Sequence, residues 1–331
     1  MVKKTGSDQA FTAASLDGMG GEPTYGGALS FLRRRYSRDF AGVDVVVSGV
    51  PLDLATTNRP GARFGPQAIR RASAMLSWGK PWPWGFDPFE RLAVVDAGDC
   101  WFDFGRPETI AAAIERHARD IVDAGATMLT LGGDHFISEP LLRAHHARYG
   151  PLALVQFDAH SDTWADEGRR LDHGTQFRHA IEDGLIDPRH SVQVGIRTFN
   201  DADHGITVLD AAWVEAEGAA AVAREVRRVV GDRPAYLSFD VDCLDPGFAP
   251  GTGTPVAGGL STAAARAILR GLAEVPFVGM DVVEVSPPYD VADVTALAAA
   301  TIALDWLCIV ARQRRRGIGH ARIPSLTSVD P

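Results

Sequence analysis

Short runs of β-branched and aromatic residues recur along the chain, separated by stretches in which apolar residues return every third or fourth position. The runs at 43–49, 92–96, 127–131, 152–157, 191–195, 206–209, 235–240 and 277–284 predict about eight strands. Helical periodicity over 108–124, 139–149, 211–230 and 261–272 falls between many of them. That alternation is the βαβ signature and predicts an α/β fold with a mainly parallel sheet flanked by helices. The longest apolar stretch, Val294 to Val310, is interrupted by Thr295, Thr301 and Asp305 and follows Asp293, a residue placed to cap a helix. It predicts a buried C-terminal helix and no membrane span. Residues 1–30 are Gly-rich and irregular, 31–315 contain no linker, repeat or charge block and predict a single domain, and 316–331 form a tail.

Three of the apolar runs end abruptly in charged side chains. Leu154-Val155-Gln156-Phe157 enters Asp158-Ala159-His160-Ser161-Asp162; Met128-Leu129-Thr130-Leu131 enters Gly132-Gly133-Asp134-His135; Tyr236-Leu237-Ser238-Phe239 enters Asp240-Val241-Asp242. Alternate residues of an extended chain point to one side, so Asp158, His160 and Asp162 converge, as do Asp240 and Asp242. Carboxylates and imidazoles together form a ligand set for a hard or borderline divalent ion. So many ionisable groups at the ends of buried strands are costly unless a cation neutralises them. Asp134, beside His135, is expected to support it or to cap the next helix. His117, His145 and His146 fall in helical patterns and are expected to be exposed or locally satisfied.

Composition narrows the class of partner. A formal net charge of −9 argues against nucleic acid and favours cationic ligands. Cys100, Cys243 and Cys308 are scattered without CxxC spacing, which points to a reduced, cytoplasmic protein. No apolar N-terminal segment resembles a signal peptide. Trp78, Trp82 and Trp84, interleaved with Gly79, Pro81 and Pro83, are expected to pack on the core or on a neighbouring subunit.

Four ordered blocks, Gly-Gly-Asp-His at 132–135, Asp-Ala-His-Ser-Asp at 158–162, Ser-Phe-Asp-Val-Asp-Cys-Leu-Asp-Pro at 238–246 and Glu-Val-Ser-Pro-Pro-Tyr-Asp at 284–290, resemble the signatures of the ureohydrolases, the arginase and agmatinase family. The likeness runs from about residue 25 to 313, takes in Asn58 to Pro66 and Asp172-His173-Gly174-Thr175, and is nearest to the bacterial agmatinases. It implies a three-layer arginase-like fold, assembly as a homo-oligomer, trimer or hexamer, and two manganese ions per subunit. His135, Asp158, Asp162 and Asp240 would surround one ion, and His160, Asp158, Asp240 and Asp242 the other, with Asp158 and Asp240 bridging. Nickel, cobalt or iron would suit the same donors.

The implied chemistry is attack of a bridging hydroxide on a guanidinium carbon, since metal ions bring the pKa of water down from about 15.7 toward 7. Glu284 would hold the guanidinium N–H groups. Asp162 would give a proton to the departing amine, and His173 would shuttle protons. Four ligand carboxylates balance two divalent cations, so a bound hydroxide leaves a site suited to a cation.

The substrate tail is read from the loop Thr163 to Asp172, which lacks the Asn and Ser with which arginases hold the amino-acid head of arginine. Agmatine, a guanidine ending in a bare amine, is therefore the expected substrate, cleaved to putrescine and urea, with Asp166 or Glu167 meeting the amine. A guanidino acid such as 4-guanidinobutyrate, held by Arg59 or Arg63, is the alternative. A non-catalytic metal-binding regulatory subunit would be expected to lack a ligand or Glu284, and this chain has them all. A zinc deacetylase would hold fewer carboxylates.

Overall fold

The structure, a computed structural model, describes residues 23–77, 79–202 and 204–316. Trp78 and the segments 1–22 and 317–331 lie outside the described residues, and 23–30 carry no helix or strand. Among the described residues nine strands form one sheet: β1 (Arg35–Tyr36), β2 (Val45–Val50), β3 (Val94–Asp99), β4 (Thr127–Gly132), β5 (Ala153–Phe157), β6 (Val192–Val194), β7 (Thr207–Leu209), β8 (Ala235–Asp240) and β9 (Phe277–Val283). Their order is β1-β3-β2-β4-β9-β8-β5-β6-β7, and every ladder is parallel. The sheet exceeds the expected eight strands by β1, a two-residue edge strand too short to show a period.

Alternate side chains of each strand feed two cores. Val45, Val47, Leu129, Leu131, Val155, Phe157, Leu237 and Phe239 enter one. Val46, Met128, Leu154 and Tyr236 enter the other. Helices α1 (Gly65–Ser73), α5 (Ala211–Val230), α6 (Thr262–Gly271) and α7 (Val294–Arg316) cover the first face, and α2 (Ile110–Asp123), α3 (Ser138–Tyr149) and α4 (Gln176–Glu182) cover the second. The result is the three-layer arrangement that a sheet of doubly buried strands requires.

Helix α7 contains a segment, Val294–Arg314, apolar and long enough to cross a membrane, yet 83% of its most apolar window is buried inside the protein. Its cap differs from expectation. Asp293 sits at a positive φ of 59° and pairs with Arg71, while Asp290 accepts from the amides of Thr295 and Ala296. The chain turns sharply through Ala292 and Asp293, so the capping carboxylate comes from the start of that turn.

Candidate functional site

Four adjacent central strands, in the order β4-β9-β8-β5, end at the same edge of the sheet. Leu131, Val282, Phe239 and Phe157 stand in register across them. The charged residues lie at or just beyond the next step: His135 after β4, Glu284 after β9, Asp240 and Asp242 at the end of β8, and Asp158, His160 and Asp162 after β5. This is the crevice outside the carboxyl ends of the strands where open α/β sheets bind ligands. Close packing there depends on Gly133, where a Cβ would fall 2.4 Å from the Leu52 carbonyl oxygen and 2.5 Å from that of Val50; a side chain would push the His135 turn out of the crevice.

Two groups of potential ligand atoms overlap, His135–Asp158–Asp240 and Asp158–His160–Asp242, each with its atoms within 4.8 Å of one another. His135 Nδ1 lies 2.8 Å from Asp162, 3.1 Å from Asp158 and 3.2 Å from Asp240. His160 Nδ1 lies 2.9 Å from Asp242 and 3.5 Å from Asp158. On its other side, His135 Nε2 is 2.8 Å from Ser238 Oγ, whose hydroxyl donates to Asp281 at 2.7 Å. Ser238 therefore accepts from Nε2–H, which leaves the Nδ1 lone pair facing three carboxylates. That buried Nδ1 makes no hydrogen bond. A lone pair among carboxylates is repulsive unless a cation sits between them, so the donor set fits divalent metal ions.

The charges tell the same story. Burial, and then the neighbouring carboxylates, push Asp162 up to about 6 and raise Asp240 and Asp242. Asp158 is buried too, but the imidazoles of His135 and His160 beside it hold it below the usual carboxylate range. The carboxylates are held in place by neighbours: Gln156 Nε2 donates to Asp158 at 2.8 Å, the amide of Ala159 to Asp242 at 3.0 Å, and Gln176 to Asp162.

Glu284 is buried at a positive φ of 65°, a strained conformation for a long side chain and one that clusters at functional sites. Its Oε1 accepts from the His135 amide at 2.9 Å and from His173 Nδ1 at 2.8 Å, while its Oε2 is buried without a partner among the described residues. His173 Nε2 meets Thr57 twice, 3.1 Å from the amide and 2.9 Å from the hydroxyl. The amide serves the neutral ring and the hydroxyl the protonated one. Burial lowers the pKa of His173, but the Glu284 charge outweighs it and leaves the pKa raised to about 9.

Other expectations are redirected. Asp134 does not cap the following turn; its Oδ2 accepts from the Ala55 amide at 2.9 Å and ties the 50s loop to the crevice. Burial and the Glu284 charge raise it to about 7. Asp166 and Glu167 do not line the cavity beside the metal ligands. Asp166 is taken by His179 Nε2 at 2.9 Å and by the Arg170 amide, and Glu167 is exposed, because the loop folds back onto α4. Arg63 pairs with Asp53, and Arg59 lies over the Tyr289 ring at 5.2 Å; neither reaches the cavity. Of the helical histidines, His117 bonds to Ser48 and His145 to the Leu141 carbonyl. Trp84 packs on the core and donates to Asp305 at 2.7 Å, whereas Trp82 is exposed. Sequence reasoning passed over Ser238, Asp281, Thr57 and Thr254, whose hydroxyl donates to Asp242 at 3.2 Å. A serine and an aspartate inside the otherwise apolar β8 and β9 were the available signal for the first two.

Residues 43–308 match the arginase family model. The chain belongs to the arginase family. It is 57% identical over 312 residues to an agmatinase of Chromobacterium violaceum, covering 94% of this chain and 97% of that protein. The crystal structure of a hypothetical agmatinase from Burkholderia thailandensis matches with a TM-score of 0.92 at 61% identity, over 94% of this chain and 99% of the other. Proclavaminate amidinohydrolase from Streptomyces clavuligerus matches with a TM-score of 0.84 at 41% identity, over 88% and 99%. The two overlapping ligand groups correspond to the binuclear centre of arginase-family enzymes.

Proposed function

We propose that the protein hydrolyses agmatine to putrescine and urea, with two divalent cations, manganese foremost, held by His135, Asp158, His160, Asp162, Asp240 and Asp242. Bound there, the cations supply Lewis acidity and make water acidic enough to attack a guanidinium at neutral pH. The observation that carries the reading is Glu284 Oε2, a buried carboxylate oxygen beside the ligand cluster with no partner among the described residues. A guanidinium N–H is its natural complement, and the contact would hold the guanidinium carbon against the cluster. Addition of water gives a tetrahedral carbon. Its collapse breaks the C–N bond to the tail, and the departing nitrogen needs a proton. Asp162, held at the cluster by Gln176 and 2.8 Å from His135 Nδ1, is placed to take the proton from the attacking water and give it to that nitrogen. His173, partnered in either protonation state, exchanges protons with solvent.

The tail follows from the wall of the cavity, where carboxylates and imidazoles appear and no described lysine or arginine does. Such a wall suits an ammonium and not the carboxylate of 4-guanidinobutyrate. We further propose a homo-oligomer, trimeric or hexameric, because Trp82, Trp101 and Phe199 expose large apolar surface that association would cover. Three free, buried cysteines suit a reducing cytoplasm.

The test is urea release by manganese-loaded protein from agmatine, 4-guanidinobutyrate, 3-guanidinopropionate, arginine and guanidine at equal concentration. Preference for agmatine is expected. Preference for another guanidine would overturn the tail assignment, and inactivity with manganese, nickel, cobalt and iron alike would leave a metal-binding protein without turnover.

A further inference from the structure

The cavity beside the cluster, about 320 Å³, is bounded by His160, Asp162, Asp240, His173, Trp164 and Asp172 among others. The first four belong to the chemistry described above; Trp164 and Asp172 do not. We propose that Asp172, together with the indole of Trp164, receives the primary ammonium at the far end of the substrate and so sets specificity for amine-tailed guanidines. The inference rests on the agmatine reading and names the residues that would enforce it.

Asp172 is held ready for such a partner. Its Oδ1 accepts from the Gly174 amide at 2.9 Å, which fixes the carboxylate against the backbone. Among the described residues its Oδ2 has only Arg170 Nη2, at 3.4 Å, and the Arg170 side chain is 68% exposed. An ion pair that long and that wet is worth little, so a substrate ammonium can replace it. The indole is brought to the same place by the backbone, since the Trp164 amide donates to the Gly174 carbonyl at 3.0 Å. A Cβ on Gly174 would stand 3.3 Å from Trp164 Cε3 and 3.4 Å from Asp172 Oδ1; one small residue thus separates an aromatic face from a carboxylate. The indole centroid is 6.2 Å from that of His160, so this wall continues directly from the metal ligands. Aromatic face and carboxylate together form a cation site. No comparable offer comes from Asp166, whose carboxylate is already spent on His179.

The experiment compares manganese-loaded wild type with Asp172→Asn and Trp164→Leu on agmatine and on 1-butylguanidine, which has the same four-carbon tail without the ammonium. Putrescine binding to each holoenzyme is measured by calorimetry, without turnover. For Asp172→Asn the agmatine-to-butylguanidine ratio of kcat/KM is expected to fall about 10- to 100-fold, chiefly through KM, as for loss of a charged hydrogen bond. Putrescine affinity should fall in parallel, and Trp164→Leu should move both readouts the same way by a smaller factor. An unchanged ratio, or unchanged putrescine affinity, would overturn the proposal. Were the wild type to ignore agmatine, the activity reading would fall, and the putrescine measurement would still decide the role of Asp172.

Discussion

Replacing Glu284 with glutamine removes one negative charge and keeps the shape of the side chain. Oε1 carries the structural bonds, from the His135 amide at 2.9 Å and from His173 Nδ1 at 2.8 Å, and the amide oxygen of glutamine can accept both. The change is felt at Oε2, where a partnerless acceptor becomes an NH2 group facing the N–H donors of a guanidinium. A hydrogen bond to a charged group is worth about 1.5–3 kcal/mol, and loss of a paired carboxylate–guanidinium contact therefore costs about 3 kcal/mol, or roughly a hundredfold in kcat/KM. The assay is urea release from agmatine by Glu284→Gln, with metal content and the melting curve followed in parallel. Activity should drop while metal content and Tm stay near wild type. A loss below about threefold, ~0.6 kcal/mol, would refute the assignment of Oε2 to the substrate; loss of metal or of folding would show that the charge serves structure instead.

Three further outcomes are expected. Ser238→Ala strips His135 Nε2 and Asp281 of a shared buried partner, and metal affinity, measured by chelator competition, should fall about 10- to 100-fold. His173 has its pKa raised in the fold to about 9 against about 6.5 unfolded. Its protonation therefore adds stability that is fully present below pH ~6.5 and is lost as pH rises through ~9; the stability gap between wild type and His173→Asn should close over that window, and an unvarying gap would count against the His173–Glu284 ion pair. Asp305, almost wholly buried, accepts from Trp84 Nε1 and Arg266 Nε at 2.7 Å each, so Asp305→Ala should cost about 3 kcal/mol in urea denaturation, and a loss near zero would mean that solvent replaces the carboxylate.

The agreement between sequence and structure is strongest where the information is local. Asp158, His160 and Asp162 meet because they are close in sequence, though not through a strand's period: β5 ends at Phe157, the His160 amide turns back onto Asp158, and Asp162 has a positive φ of 54°. Asp242 likewise follows β8 in a tight helical turn, its amide bonded to Asp240, whereas the apolar runs became strands as their pattern predicts. Local pattern failed where a neighbour in space decides. Arg35–Tyr36 became a strand only by pairing with β3. Asp293 lost the cap to Asp290 through a turn with two positive φ angles, and Asp166 was claimed by His179 while Asp172, which no spacing singled out, reached the cavity.

What the sequence by itself determined is the inventory: parallel strands, ligand types at their ends, and a glutamate and a histidine in blocks resembling one family. What only the tertiary structure decided is their meeting. β8 and β9 arrive last in the chain yet insert between β4 and β5, and that order brings His135, Glu284, Asp240 and Asp158 to one edge. Strand order is chosen by burial of both sheet faces under helices, an energy summed over the whole core. No single segment carries that sum, so no single segment announces the site.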